Sequence, residues 1–271
     1  MNPRDSKSPP SAREALLRAR ARGHCALIPY LTLGYPSLQA SLELLEGIEE
    51  LGVDAVECGV PFSDPVADGP TIQHTIERAL AQGVTLRRIL ENLRHSSHDI
   101  PRVLFSYFNP LLSFGLDALV PALISRGVGA TLITDLVVEE AAPFQGLARA
   151  GGLELCFLVA STSDDGRLRR AAEASTGFVY CVATLGVTGS RTTLDDRAQK
   201  TVLRLREQSE APVAVGFGIS SANDVRRVRE FADGAVVGSA FLRALGDEIS
   251  PSSVRQRGIE YLGPLLEAAR A

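Results

Sequence analysis

The sequence predicts an α/β protein, a (β/α)8 barrel of the TIM type, on three observations. Apolar, β-rich runs alternate with amphipathic helical stretches eight times over, the rhythm of a parallel sheet whose crossovers are helices. The length of 271 residues suits one such barrel, which typically needs about 250. No GxGxxG follows the first strand candidate; that fingerprint would favour an open sheet binding a dinucleotide.

In chain order, residues 1–10 are polar with several prolines and are expected to be disordered, leaving 11–271 as a single barrel domain. Ser11 to Arg22 reads as an extra N-terminal helix, short and basic. The strand candidates are Ala26–Thr32, Val53–Cys58, Val103–Tyr107, Ala130–Thr134, Leu153–Val159, Gly177–Ala183, Val213–Gly216 and Gly234–Val237. Between them lie helical patterns at Leu38–Leu51, Thr71–Gln82, Leu116–Ser125, Glu139–Ala150, Asp164–Ala174, Leu194–Gln208 and Ala222–Glu230. Thr85–His95 adds a further short helix after the second strand, and Ser113-Phe114-Gly115 reads as a loop turn. A last helix near Ser253–Arg270 is expected to break at Gly263-Pro264.

Composition removes several classes of function. Hydrophobic residues make up 45%, charged residues 22%, and the net charge is -4. Without a basic block, nucleic acid and anionic membrane are not expected partners. No apolar run reaches a membrane span, and the N-terminus has no apolar signal core, so a cytoplasmic location is expected. The four cysteines, Cys25, Cys58, Cys156 and Cys181, lie in apolar runs without a CxxC pair, which reads as buried thiols with no metal site. His24, His74, His95 and His98 have neither ligand nor triad spacing.

The chemistry is expected at Val53–Pro70, VDAVECGVPFSDPVADGP. Alternation puts Val53, Ala55 and Glu57 on one face of a strand. Glu57 then stands near the strand's C-terminal end, and Asp64 and Asp68 follow in the loop, the part of a parallel barrel where catalytic groups gather. Asp68-Gly69-Pro70 also reads as a helix start with Asp68 as cap, and Asp64 reads as a turn residue. The blander readings are Glu57 as a structural carboxylate paired with a barrel cation, although strand-end carboxylates in barrels lean catalytic, and Tyr180 as a core residue. Three glycine-bearing stretches follow the last three strands: Gly186 to Ser190, Gly216 to Ser220, and Gly238-Ser239-Ala240. Glycine lets backbone N–H groups approach an anion, and a short helix starting at Ser239 would aim its own there, so a phosphate is expected between the last strands.

ECGVPFSDPVADGPTIQ, the TLGYP of the first strand, YCVATLGVTGSR, GFGIS and VVGSA occur in order from about Ala26 onward. Together they resemble the tryptophan synthase alpha subunit. The resemblance implies a lyase of tryptophan biosynthesis, cleaving indole-3-glycerol phosphate to indole and glyceraldehyde 3-phosphate with no cofactor. It also implies a pyridoxal-phosphate beta subunit as partner in an alpha2-beta2 complex. By motif match it implies Glu57 as general acid/base, Asp68 as the carboxylate for the indole N–H, and Tyr180 beside the glutamate. Gly189, Gly218, Gly238 and Ser239 would bind the phosphate; Tyr30, Tyr107 and Leu132 would line the indole pocket. Tyr30 stands where the family often has phenylalanine. Ala183-Thr184 stands where it usually has serine first, and Val137 replaces the proline of a partner-facing loop.

The chemistry itself asks for two carboxyl groups in unlike settings. Breaking the carbon–carbon bond needs a proton delivered to the ring carbon and one taken from the side-chain hydroxyl. One carboxyl with a pKa near working pH can do both. Apolar neighbours should raise Glu57, whereas Asp68 in a polar loop should stay ionised. A free-standing indole-releasing lyase, a silent barrel that activates a partner, and another phosphosugar barrel enzyme are the competing readings.

Overall fold

The computed structural model describes residues 8–182, 196–216, 218–247 and 250–271. Strands β1 (Ala26–Thr32), β2 (Val56–Gly59), β3 (Arg102–Ser106), β4 (Val128–Ile133), β5 (Glu154–Ala160), β6 (Val179–Val182), β7 (Val213–Gly216) and β8 (Gly234–Val237) form a closed parallel barrel in sequence order. β8 returns to β1, with Ala26 opposite Gly234 and Pro29 opposite Val237. Closure removes every sheet edge.

Helices cover the outside. α2 (Leu38–Leu51) begins where the Ser37 hydroxyl accepts from Ala40 N–H and stops at Gly52, whose φ of 79° is open to glycine. α3 (Pro70–Ala81) and α4 (Leu86–Asn92) both follow β2; α5 (Phe108–Phe114) and α6 (Leu116–Ile124) follow β3. α7 (Ala142–Gly151), α8 (Asp165–Ala174), α9 (Asp196–Arg206) and α10 (Ala222–Arg229) follow β4 to β7, while α11 (Ser239–Leu245) and α12 (Pro251–Arg270) follow β8.

The N-terminal end of the barrel is plugged by α1 (Ala12–Ala21), whose Leu16 is fully buried. Glu154, the first residue of β5, holds the start of this plug. Its carboxylate accepts from Ser11 Oγ at 2.5 Å, Ala12 N at 2.8 Å and Arg13 N at 3.3 Å, an anion on free N–H groups at the positive end of a helix. Just outside the sheet, Arg102 makes a buried pair with Glu49 of α2, Nε to Oε1 at 2.6 Å and Nη2 to Oε2 at 3.1 Å. Asp233, also buried, accepts from Arg206 at 2.9 Å and from Val213 N at 2.8 Å. Glu154, Glu49 and Asp233 thus all have hydrogen-bond partners.

Several boundaries differ from the sequence reading. β2 starts at Val56 rather than Val53, because the Asp54 carboxylate accepts from Leu27 N–H and turns the chain before pairing begins. Ser113 and Phe114 are not a loop turn but the last residues of α5, which Gly115 closes at φ 97°. The last helix does not break: α12 runs through Gly263 and Pro264 to Arg270. Its face of Leu262, Leu265, Leu266, Ala268 and Ala269 is buried, and at about 25 cal/mol per Å² of apolar surface such a stripe offsets the hydrogen bond that proline forfeits. Ala183 lies outside the described residues.

Candidate active site at the C-terminal mouth

Register fixes which side chains share the barrel interior. Tyr30, Glu57 and Val103 are consecutive partners across β1, β2 and β3. One step toward the mouth, Thr32, Gly59, Phe105 and Leu132 are partners across β1 to β4. On the other side Leu158, Tyr180 and Ala214 are partners. Partners in a parallel sheet point to one face, so the structure gathers Tyr30, Glu57, Leu132 and Tyr180 in one interior.

Glu57 is 1% exposed, and neither carboxylate oxygen has a hydrogen-bond partner among the described residues. Burial without a cation pushes its pKa up to about 8. Burial thus favours the protonated form of Glu57 at neutral pH.

Two glycines make room for the neighbouring tyrosines. A Cβ on Gly59 would fall 2.3 Å from the Tyr30 hydroxyl, and a Cβ on Gly216 would lie 1.8 Å from the Tyr180 hydroxyl. The sequence reading put Gly216 with the phosphate glycines; its position opposite Tyr180 is what forbids a side chain. The Tyr30 ring also packs edge-on against Phe105, centroids 5.1 Å apart. Both tyrosines are buried and their phenols are held neutral, chiefly by desolvation.

Asp68 is not the helix cap that Asp-Gly-Pro suggested. Gly69 occupies the cap position of α3 without a side-chain bond, and the Asp68 carboxylate turns inward. Its Oδ2 accepts from the Tyr107 hydroxyl at 2.8 Å, and the same hydroxyl accepts from Ala67 N–H at 2.9 Å. Phe62 packs on Tyr107 with centroids 5.3 Å apart. Nor is Asp68 in a solvated loop: it is 3% exposed, and desolvation lifts its pKa to about 6 against the lowering pull of Tyr107. Phe62 and Phe105 were missed from sequence, since a single aromatic at a strand end carries no distinguishing local signal. Asp64, by contrast, is an exposed turn residue whose carboxylate accepts from Ser63.

At the ends of β7 and β8, Gly218 has φ 84° with open space around it, and Gly238 precedes Ser239, the first residue of α11. Gly189 and Arg191 lie outside the described residues. Among the described residues no three His, Cys, Asp or Glu side chains gather to hold a metal ion, and no helix is long and apolar enough to cross a membrane. A cleft of about 330 Å³ lined by Arg18, Arg22, His24, Asp54 and Arg270 sits at the opposite end of the barrel, beside the plug.

A closed (β/α)8 barrel with two carboxyl groups of unlike pKa at its C-terminal mouth is the frame of a barrel enzyme. The sequence model described as tryptophan synthase alpha chain matches residues 16–269. The chain is 42% identical over 255 residues to the tryptophan synthase alpha chain of Prochlorococcus marinus, covering 93% of this chain and 92% of the relative. It is 41% identical over 255 residues to that of a Roseiflexus species, covering 93% and 97%. Among solved structures, Mycobacterium tuberculosis tryptophan synthase superposes with a TM-score of 0.88 at 35% identity, covering 97% of this chain and 99% of that one. A chain of the tryptophan synthase a2b2 complex from Pyrococcus furiosus gives 0.83 at 36%, covering 90% and 98%. The chain belongs to the tryptophan synthase alpha chain family, and it is an enzyme of the lyase type.

Proposed function

We propose that residues 11–271 act as one catalytic barrel that cleaves indole-3-glycerol phosphate to indole and glyceraldehyde 3-phosphate in the cytoplasm, as the alpha subunit of tryptophan synthase. The observation that carries this reading is the buried Glu57, without a hydrogen-bond partner among the described residues and with its pKa near 8. As an acid it delivers its proton to the ring carbon that bears the side chain. The resulting carboxylate takes the proton from the side-chain hydroxyl; that oxygen becomes the aldehyde as the carbon–carbon bond breaks, and the acid is restored. Asp68, with a pKa near 6, is mostly ionised at neutral pH and receives the indole N–H, stabilising the positive charge of the protonated ring. Tyr180 bounds the site beside Glu57, while Tyr30, Leu132 and Tyr107 wall the indole. Gly218, Gly238 and Ser239, joined by Gly189, offer backbone N–H groups and a hydroxyl to the phosphate.

A pyridoxal-phosphate beta subunit is the proposed partner, docking over the mouth. Val66, in the loop after β2, is 84% exposed, and Leu112 on α5 is 49% exposed; exposed apolar side chains at one end of a barrel suit a protein interface.

The test is single-turnover cleavage by Glu57→Gln, with substrate binding measured separately by calorimetry and each run repeated at saturating beta subunit. Glutamine keeps the shape but moves no proton. Turnover should fall about 100- to 10,000-fold or further while binding survives. Cleavage within a few-fold of wild type would make Glu57 structural and sink the proposal.

A further inference from the structure

Asp68 is a buried residue at the end of an exposed loop. Ser63, Asp64, Val66 and Ala67 face solvent, while Asp68 is turned inward. Water pulls an ionised carboxylate outward, so the protein must hold this one in. Tyr107 holds its side chain. Its main chain is held by two further hydrogen bonds. Asp68 N–H donates to the Pro65 carbonyl at 3.0 Å, and Gln73 Nε2 donates to the Asp68 carbonyl at 2.8 Å. A carbonyl can only accept, so the Gln73 amide has one orientation here.

Gln73 has a firm footing for this bond. It is the fourth residue of α3, and Asp68 lies one residue before the cap, Gly69. At many helix starts an apolar pair at these two positions fixes the angle at which the chain enters. Here a hydrogen bond does so, and the residue it aims is an acid. α3 itself is fixed to the barrel. Its Ile72, Thr75, Ile76 and Ala79 are buried. Thr75 Oγ1 lies 2.7 Å from Thr32 Oγ1 of β1, and Arg243 of α11 donates to Thr71 Oγ1 at 3.1 Å.

We propose that Gln73 is a positioning residue for Asp68: its side-chain amide ties the Asp68 main chain to the first turn of α3, so that the carboxylate stays turned into the mouth toward the indole N–H. The inference rests on the reading of Asp68 as the carboxylate that receives the indole. Without the tie, Asp68 spends more of its time in water, and the fraction of enzyme ready for substrate falls. Tyr30, Tyr107 and Tyr180 feel the Asp68 charge, and burial raises all three phenols, so none of them titrates alongside Asp68 near 6.

Gln73→Met keeps the unbranched shape and the helix propensity but cannot donate. Carbon-13 NMR of the aspartate carboxyls, in the intact ligand-free chain, reads Asp68 directly as the signal that Asp68→Ala removes. In Gln73→Met the Asp68 midpoint should fall from about 6 toward the ordinary 3.8, because a carboxylate that reaches water ionises more easily. Cleavage should lose about fivefold in kcat, the worth of one hydrogen bond. The same substitution made on top of Asp68→Ala should cost nothing further. Gln73→Glu puts an acid in the first turn of a helix, which suits the helix dipole. It should keep thermal stability while losing the same turnover, a split that a packing role would not give. An unmoved Asp68 midpoint in both variants, or losses that add in full to those of Asp68→Ala, would overturn the proposal, and the titration decides alone if Asp68→Ala does not turn over. A midpoint that moves while turnover does not would uphold the tie and overturn the reading of Asp68 instead.

Discussion

Two buried glutamates lie on opposite sides of the same strand pair: Glu57 on β2 faces the barrel interior, and Glu49 of α2 meets the outer face at Arg102. Val56 and Arg102 form one rung of β2 and β3; Glu57 and Val103 form the next. Successive residues alternate faces. Arg102 accordingly points out into the helical layer, where Glu49 meets it with two hydrogen bonds, while Glu57 points into the barrel and meets none among the described residues. Outside the sheet, burial of a carboxylate comes with a fixed cation. Inside, it comes with two tyrosines that cannot ionise at neutral pH. The first arrangement locks a charge in place; the second leaves a proton in doubt near pH 8, as a group that must both give and take one requires.

The contrast can be broken from either side. The largest stability effect is expected from Arg102→Met, which strands the Glu49 carboxylate. Loss of one partner of a buried pair costs about 3–5 kcal/mol, read by urea unfolding. Adding Glu49→Leu should recover most of it; if it does not, Arg102 acts through packing rather than charge.

Glu57→Gln should do the reverse. A folded pKa near 8 against an ordinary 4.5 means the folded state holds a proton the unfolded chain has released. Below pH 4.5 both states are protonated and nothing is lost. As pH rises from there to about 8, wild-type stability falls, by roughly 3 kcal/mol at pH 7. The advantage of Glu57→Gln over wild type should therefore grow between pH 5 and pH 8. A difference flat in pH would mean that Glu57 is ionised and paired after all.

A smaller effect belongs to Tyr107→Phe. Its hydroxyl holds Asp68 down against desolvation, so without it the Asp68 pKa rises further above 6. The low-pH limb of kcat should move upward, with about 1 kcal/mol less stability from the lost hydrogen bond. Smallest of all, Asp64→Ala at the exposed tip should change stability by about 0.5 kcal/mol or less and turnover only a few-fold. A large loss there would shift the proposed chemistry away from the Glu57 and Asp68 pair.

The sequence discloses what is written in local periodicity. Eight alternations of strand and helix predict the barrel, and Glu57 stands out because charge in an apolar strand needs a reason. What stayed hidden was decided at a distance. Asp68 reads as a cap in its own tripeptide, yet Tyr107, 39 residues on, takes it. Gly59 reads as a strand end, although the Tyr30 ring is what excludes a side chain there. Ser113-Phe114-Gly115 reads as a loop turn, yet Ser113 and Phe114 belong to α5, in whose first turn Pro110 costs no hydrogen bond. In α12, Pro264 reads as a break until the buried stripe against α2 is known.

The plug at the base of the barrel gives the chain an order of events. α1 is made before every strand, but Glu154, which holds its start, comes 142 residues after Ala12. At about 5–20 residues per second on a ribosome, the helix waits roughly 7–28 s for its anchor to be synthesised. The barrel itself closes later still, because β1 must find β8 and Cys25 N–H must find the Ala269 carbonyl of α12. During that interval the apolar side of α1, with Ala12, Leu16 and Ala19, lacks the closed barrel that covers it. A helix made before every strand of the barrel is thus among the last elements to settle.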